Sequence, residues 1–322
     1  MSQASQSLEA AAPVAPDTRL VIGSDEHKRV LCRTFVETHE PYRPEEIAWP
    51  ELDEESLARL HALPVWDEAV RTEAATAVKV QTLGEREPDP LLREAIALQG
   101  YEEGRHAAVL RLLTTRYGIP VKPFDEPKPP EKPVWAFLST GYGECLDSFF
   151  AFGLFALGKR SRYFPMELID VFDPIMQEEA RHILFIVNWA AYLRARAGLA
   201  GRPAFDARRA WIVWQQLVGH ARQALRASRG GDDADSDAAG AGFTMNSHSV
   251  FGDVTARSFL ELCLSENDRR LSLYDSRLLR PTMVPSAVRL ALRFLPKNGA
   301  GAGFHKGDET PAEPPRASAT TP

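Results

Sequence analysis

Two segments of this chain share the pattern Glu-Glu-x-Arg-His: Glu102-Glu103-Gly104-Arg105-His106 and Glu178-Glu179-Ala180-Arg181-His182. On an α-helix a Glu and a His three positions apart are nearly one turn apart, so Glu103 and His106 share a face, as do Glu179 and His182. Around the second motif Phe172, Ile175, Glu179, His182, Ile186, Trp189 and Leu193 step by three and four, which is the inward stripe of a bundle helix. The stripe around the first motif runs Ile96, Glu103, His106, Leu110 and Leu113, with Gln99 as its weak position. Carboxylates facing a core must be neutralised, because an unpaired buried charge costs several kcal/mol.

Each motif follows another helical stretch carrying one Glu: Glu73 within 66–84 and Glu144 within 134–159. Glu73, Glu103, Glu144 and Glu179 with His106 and His182 make up the four-carboxylate, two-histidine set of a dinuclear metal site in a helix bundle. If the first pair of helices turns near 84–89 and the second at 161–165, Glu73 comes level with Glu103 and Glu144 with Glu179. The competing reading, surface glutamates and hydrogen-bonded core histidines, suits one short Glu-x-x-His. It fits two copies in matched register poorly. The chain has no His-Glu-x-x-His, which makes a zinc protease a worse fit.

On these motifs the chain resembles the ferritin-like di-iron carboxylate superfamily over roughly 57–196. The Glu-x-Arg-His form in both halves is more similar to its oxygenases, desaturases and reductase small subunits than to storage ferritins. The resemblance implies an all-α fold: a ferritin-like four-helix bundle with a long crossover between its second and third helices, plus additional C-terminal helices. It implies that Glu73, Glu103 and His106 bind one iron more closely and Glu144, Glu179 and His182 the other, with Glu103 and Glu179 bridging. Manganese or a mixed Mn/Fe pair suits the same ligands. Relatives carry Asp before the motif Glu, paired with the opposite Arg and His. Here Glu102 and Glu178 stand there, which implies contacts from Glu102 to Arg181 and from Glu178 to Arg105. Leu110 replaces the radical-forming Tyr of the reductase subunits, and Ile175 replaces an extra His found in the N-oxygenases. Ser148 occupies the place of a monooxygenase Thr, where its hydroxyl would relay protons during catalysis. A bond back to its own helix is the alternative.

The 322 residues are 44% hydrophobic, enough for one large core, and their net charge of −6 gives no support for nucleic-acid binding. No apolar run reaches the roughly 18–20 residues that span a bilayer. Residues 1–23 read as a disordered leader without a secretory pattern, and the three scattered cysteines suit a reducing compartment, so a cytoplasmic location is expected. A helical extension over 24–64 is expected to include helices at 25–38 and 57–63. The bundle occupies 65–198. A C-terminal extension over 199–296 holds helices at 205–226, 254–279 and 286–294 with a flexible loop at 229–242, and 297–322 form a disordered tail. The proline-rich stretch 118–133 fits the crossover: a helix of about 26 residues is ~39 Å long, and about fifteen extended residues reach ~50 Å.

The expected activity is O2-dependent oxidation of a small to medium organic substrate by a di-iron hydroxylase, desaturase or related oxygenase. With no nucleotide-binding glycine fingerprint and no cysteine cluster, electrons would come from a separate ferredoxin or reductase. Small residues (Ala77, Gly104, Gly141, Gly143, Ser148, Ala151) leave either room near the metals or close helix packing. Phe149, Phe150, Phe152 and Phe155 line an apolar tunnel or fill plain core. The extra helices would cover a cavity or form a homodimer interface, and Arg277, Arg280, Arg289 and Arg293 make a basic patch or a wet face. Two other functions fit the motifs: a ferroxidase or peroxide-detoxifying protein, and a non-catalytic bundle acting in assembly.

Overall fold

The computed structural model describes residues 19–228 and 254–296, and among these the regular elements are all helical. They are α1 (Asp25–Glu37), α2 (Glu54–His61), α3 (Trp66–Arg86), α4 (Pro90–Arg116), α5 (Pro133–Ser161), α6 (Met166–Val171), α7 (Asp173–Arg196), α8 (Gly198–Ser228), α9 (Ala256–Leu271) and α10 (Met283–Ala291). The expected leader up to residue 18, the 229–242 loop and the 297–322 tail lie outside the described residues.

Several helices start where local chemistry supplies the missing hydrogen bonds. Ser24 caps α1 by accepting from the His27 amide at 3.0 Å. Asp53 caps α2 by accepting from Ser56 at 2.7 Å. Asp89 accepts from the Leu91 and Leu92 amides, and Pro90 supplies a preset first residue for α4. Asp89 also pairs with Lys28, which ties the start of α4 to α1.

Four helices enclose the central core: α3 touches α4 and α5, and α7 touches α4 and α5. Residue pairs give their directions. An added Cβ on Gly100 would meet Gln81, and one on Gly84 would meet Ala97, so α3 and α4 are antiparallel and pack closely. Arg86 bonds the Glu131 carbonyl and Lys79 bonds Thr140, so α3 is also antiparallel to α5. Therefore α4 and α5 run parallel, and residues 117–132 carry the chain from one end of the pair to the other. α1 lies along α4 and α7, whereas α8 and α9 cover α5 and α7.

Some boundaries differ from the pattern in the sequence. Phe172 is not within the second motif's helix but at the joint between α6 and α7. Glu179 lies opposite Ser148, and Ile186 opposite Gly141, so Glu144 is a turn away from the level of Glu179, the offset that a turn centred between 161 and 165 already gives. α8 begins at Gly198 rather than 205, because Gly198 at φ +67° turns the chain straight from α7 into the next helix. α9 stops at Leu271. Beyond it, Asn188 of α7 donates to the Leu279 carbonyl and accepts from its amide, at 2.9 and 2.8 Å, fixing a non-helical segment. The last helix is Met283–Ala291, shifted from 286–294.

Candidate metal centre

α4 and α7 deliver the two motifs face to face. Ligand atoms of Glu103, His106, Glu179 and His182 all lie within 4.8 Å of one another, and Glu103, His106 and His182 are 2% exposed or less. The two imidazole rings are 5.5 Å apart.

Each ring is held from behind by the opposite helix. His106 Nε2 lies 2.8 Å from Glu178, and Arg105 donates to the same carboxylate. His182 Nε2 lies 2.9 Å from Glu102, to which Arg181 also donates. With Nε2 donating to an ionised carboxylate, a neutral ring carries its lone pair on Nδ1, which faces the cluster. Both Nδ1 atoms are buried without a well-aligned hydrogen bond, although His106 Nδ1 is 3.1 Å from Glu179 and His182 Nδ1 is 3.1 Å from Glu103. Close oxygens at poor hydrogen-bonding angles are what donor atoms aimed at a shared ion would give.

Glu73 stands at the edge of this group, 3.7 Å from His106 Nδ1 and partly open. Glu144 lies near the group but not within it, and its Oε2 is buried without a partner. Burial, followed by the charges of Glu103 and Glu179, pushes its carboxyl well above the usual range. Burial opposes charge on His106 and His182, yet the surrounding carboxylates win and raise both pKa values well above 6.5. Glu102 is held at about 2: burial alone would raise it, but His182, Arg181 and His39 outweigh that cost. Six carboxylates outnumber the Arg105 and Arg181 guanidinium groups here, and bound cations would take the place of the protons now favoured on Glu144 and the two imidazoles. Lys79 stands beside them, donating to Thr140 at 2.9 Å, and burial lowers its pKa against the pull of Glu144 and Glu103.

The buried Glu/His group can therefore hold metal. Its donors are carboxylate oxygens and imidazole nitrogens.

Ser148 donates to Glu179 Oε2 at 3.4 Å rather than back to its own helix. Of the small residues, Gly141 and Gly143 serve packing: an added Cβ would lie 1.9 Å from Ile186 Cδ1 and 3.3 Å from Gln216 Oε1, respectively. Phe149 and Phe152 are core, and Phe155 faces a cavity. The C-terminal arginines are partly neutralised, since Arg277 pairs with Asp275 and Arg289 with Asp268, while Arg280 donates to the Tyr274 carbonyl.

Three contributors have no signal in the motifs. His39, in the connector after α1, bonds Glu102 from 63 positions away. Tyr42 stacks under Arg105 with its ring centre 3.7 Å from the guanidinium carbon. Gln99, the weak stripe position, is fully buried and donates to Glu103 at 3.2 Å. A polar residue one turn before a ligand on an inward stripe is the one clue that sequence offered.

No protein-family model, curated protein or solved structure matches the chain. Among the described residues no helix is long and apolar enough to cross a membrane.

Proposed function

We propose that this chain is a ferritin-like dinuclear metalloenzyme that uses O2 to oxidise a small organic molecule. The observation that carries this reading is the pair of buried imidazoles, each fixed at Nε2 by a carboxylate and presenting a free Nδ1 to Glu103 and Glu179. Glu73, Glu103 and His106 would hold one ion and Glu144, Glu179 and His182 the other. Glu144 would reach its place by a side-chain rotation. A pair of ferrous ions held there would supply the two electrons that reduce dioxygen.

The remaining chemistry belongs to the protein. Glu102 and Glu178 orient the imidazoles, and Arg181 and Arg105 pair with these carboxylates, so each ring turns its Nδ1 toward the site. Ser148, bonded to Glu179, is placed to hand a proton into the site. Burial excludes bulk water, which protects reactive species from side reactions. Hydroxylation balances as substrate C–H plus O2, two protons and two electrons giving C–OH and water. The electrons come from a separate reductase or ferredoxin.

A cavity of about 260 Å³ reaches His106 and Glu73. Its apolar walls favour an organic substrate over the hydrated iron that a ferroxidase must admit. The test is anaerobic loading with Fe(II), metal quantification, then addition of O2, a chemical reductant and candidate substrates. About two irons per chain and O2 uptake that depends on substrate support the proposal. Rapid catalytic oxidation of excess Fe(II) without substrate would assign a ferroxidase, and retention of no metal would leave a structural bundle.

A further inference from the structure

We infer that the substrate is an uncharged, predominantly apolar molecule of the size of a substituted benzene, bound in the cavity beside His106. This deepens the proposed function and rests on it. The cavity lies where α2, the start of α3, the middle of α4, the end of α5 and the 164–176 segment meet. Its walls include Leu60, Trp66, Leu110, Phe155, Phe172 and Ile175, and the sole ionisable side chains on them are Glu73 and His106, together at one end. The Trp66 indole is already committed, donating to the Leu60 carbonyl at 2.9 Å.

Size follows from volume. A dry apolar cavity of about 150 Å³ is enough to bind benzene, so 260 Å³ has room for a substituted benzene. Leu110 and Ile175 are decisive for chemistry, since they stand one turn after His106 and one turn before Glu179. A side chain able to hydrogen-bond or ionise at either position would give a polar substrate a handle near the metals, and both are aliphatic.

Charge points the same way. No Lys or Arg lines the wall to receive a carboxylate, and burying one unpaired is costly. An anion meets no countercharge from the Glu73 carboxylate at the cavity's polar end, and a cation gains only that single, partly open carboxylate against the cost of leaving water.

The experiment is calorimetric titration of the full chain, metal-free and separately Fe(II)-loaded under anaerobic conditions. Its probes are ethylbenzene and two charged counterparts, phenylacetate and phenethylammonium. Ethylbenzene should bind at one per chain in both forms, with the ions roughly tenfold or more weaker. Gly158→Phe, which pushes a ring into the cavity from α5, should weaken ethylbenzene about tenfold while the iron content stays the same. Leu110→Ala should improve binding of the longer butylbenzene. Equal or tighter binding of either ion, or ethylbenzene binding indifferent to both substitutions, overturns the inference. Because binding is read without turnover, two irons with no ethylbenzene bound would sink the substrate assignment alone. Ethylbenzene bound by a chain that takes up no iron would sink the metalloenzyme reading instead.

Discussion

Glu102 and His182 meet across the core at 2.9 Å, one from the face of α4 and the other from the face of α7. The mirrored contact joins Glu178 to His106 at 2.8 Å. Each motif thus supplies both an imidazole and the carboxylate that orients the other motif's imidazole, so neither half can form the site alone. The halves are not equal, since Glu102 also receives His39 and Arg181, whereas Glu178 receives Arg105.

That inequality gives the first prediction. Glu102→Gln leaves a buried Arg181 without its countercharge, and breaking such a pair costs ~3–5 kcal/mol. Glu178→Gln should cost less, because Arg105 retains the Glu40 and Tyr42 carbonyls and the Tyr42 ring. Urea unfolding of the two metal-free variants checks the order, and equal losses would contradict it.

Much of this centre was legible because its logic is periodic. Glu and His three apart must share a helix face, and two such faces, each preceded by a helix carrying one Glu, imply convergence. The cross-pairs of Glu102 with Arg181 and Glu178 with Arg105 were implied by the resemblance rather than by the spacing. What was not legible includes the short α6 between α5 and α7, which carries no strong signal of its own. The offset of Glu144 was legible: a turn centred near 163 sets Glu144 level with a position near 182, and the structure accordingly sets Glu179 against Ser148. His39 was invisible for another reason: nothing local marks a connector histidine 63 positions from its partner.

The histidine next to Glu102 allows a separation of roles. His39→Gln removes a hydrogen bond to a buried charge, worth about 1.5 kcal/mol, from a side chain still 19% exposed. Arg181 and His182 still hold Glu102, so stability should fall modestly and metal content should stay near two per chain. Chemical denaturation and metal quantification together decide this. Loss of metal would mean that His39 positions the ligand ring through Glu102.

Stability of the metal-free protein should peak in mildly acidic solution. Glu102 is lowered to about 2 from 4.5, so its contribution is complete above 4.5 and is lost as pH falls toward 2. His106 and His182 are raised above 6.5, so theirs is complete below 6.5 and is lost as pH rises through the raised values. Metal ions bind the neutral rings and displace these protons. Loading near neutral pH should therefore release more than one proton per chain, measurable with an indicator dye in weak buffer. The alkaline loss of stability should disappear from the loaded protein, and its persistence would argue that the imidazoles are not ligands.

Close packing at Gly141 offers a test of the α5–α7 register that positions Ser148 against Glu179. An added Cβ at this position would fall 1.9 Å from Ile186 Cδ1 and 2.7 Å from Cγ1. Ile186 is 2% exposed, so its side chain has little room to retreat. Gly141→Ala gains about 1 kcal/mol of helix propensity, while overpacking of this kind costs about 1–3 kcal/mol; the net should be a loss. Ile186→Val alone should cost about 0.5–1.5 kcal/mol by removing the same Cδ1 from a filled core. Combined, the two changes relieve each other: the methyl lost from α7 vacates the space that the methyl gained on α5 enters. The double variant should therefore be more stable than the sum of the single effects predicts, as read by a double-mutant cycle in urea. Strict additivity would place Gly141 away from Ile186, and the ligands on α7 in a different register from those on α5.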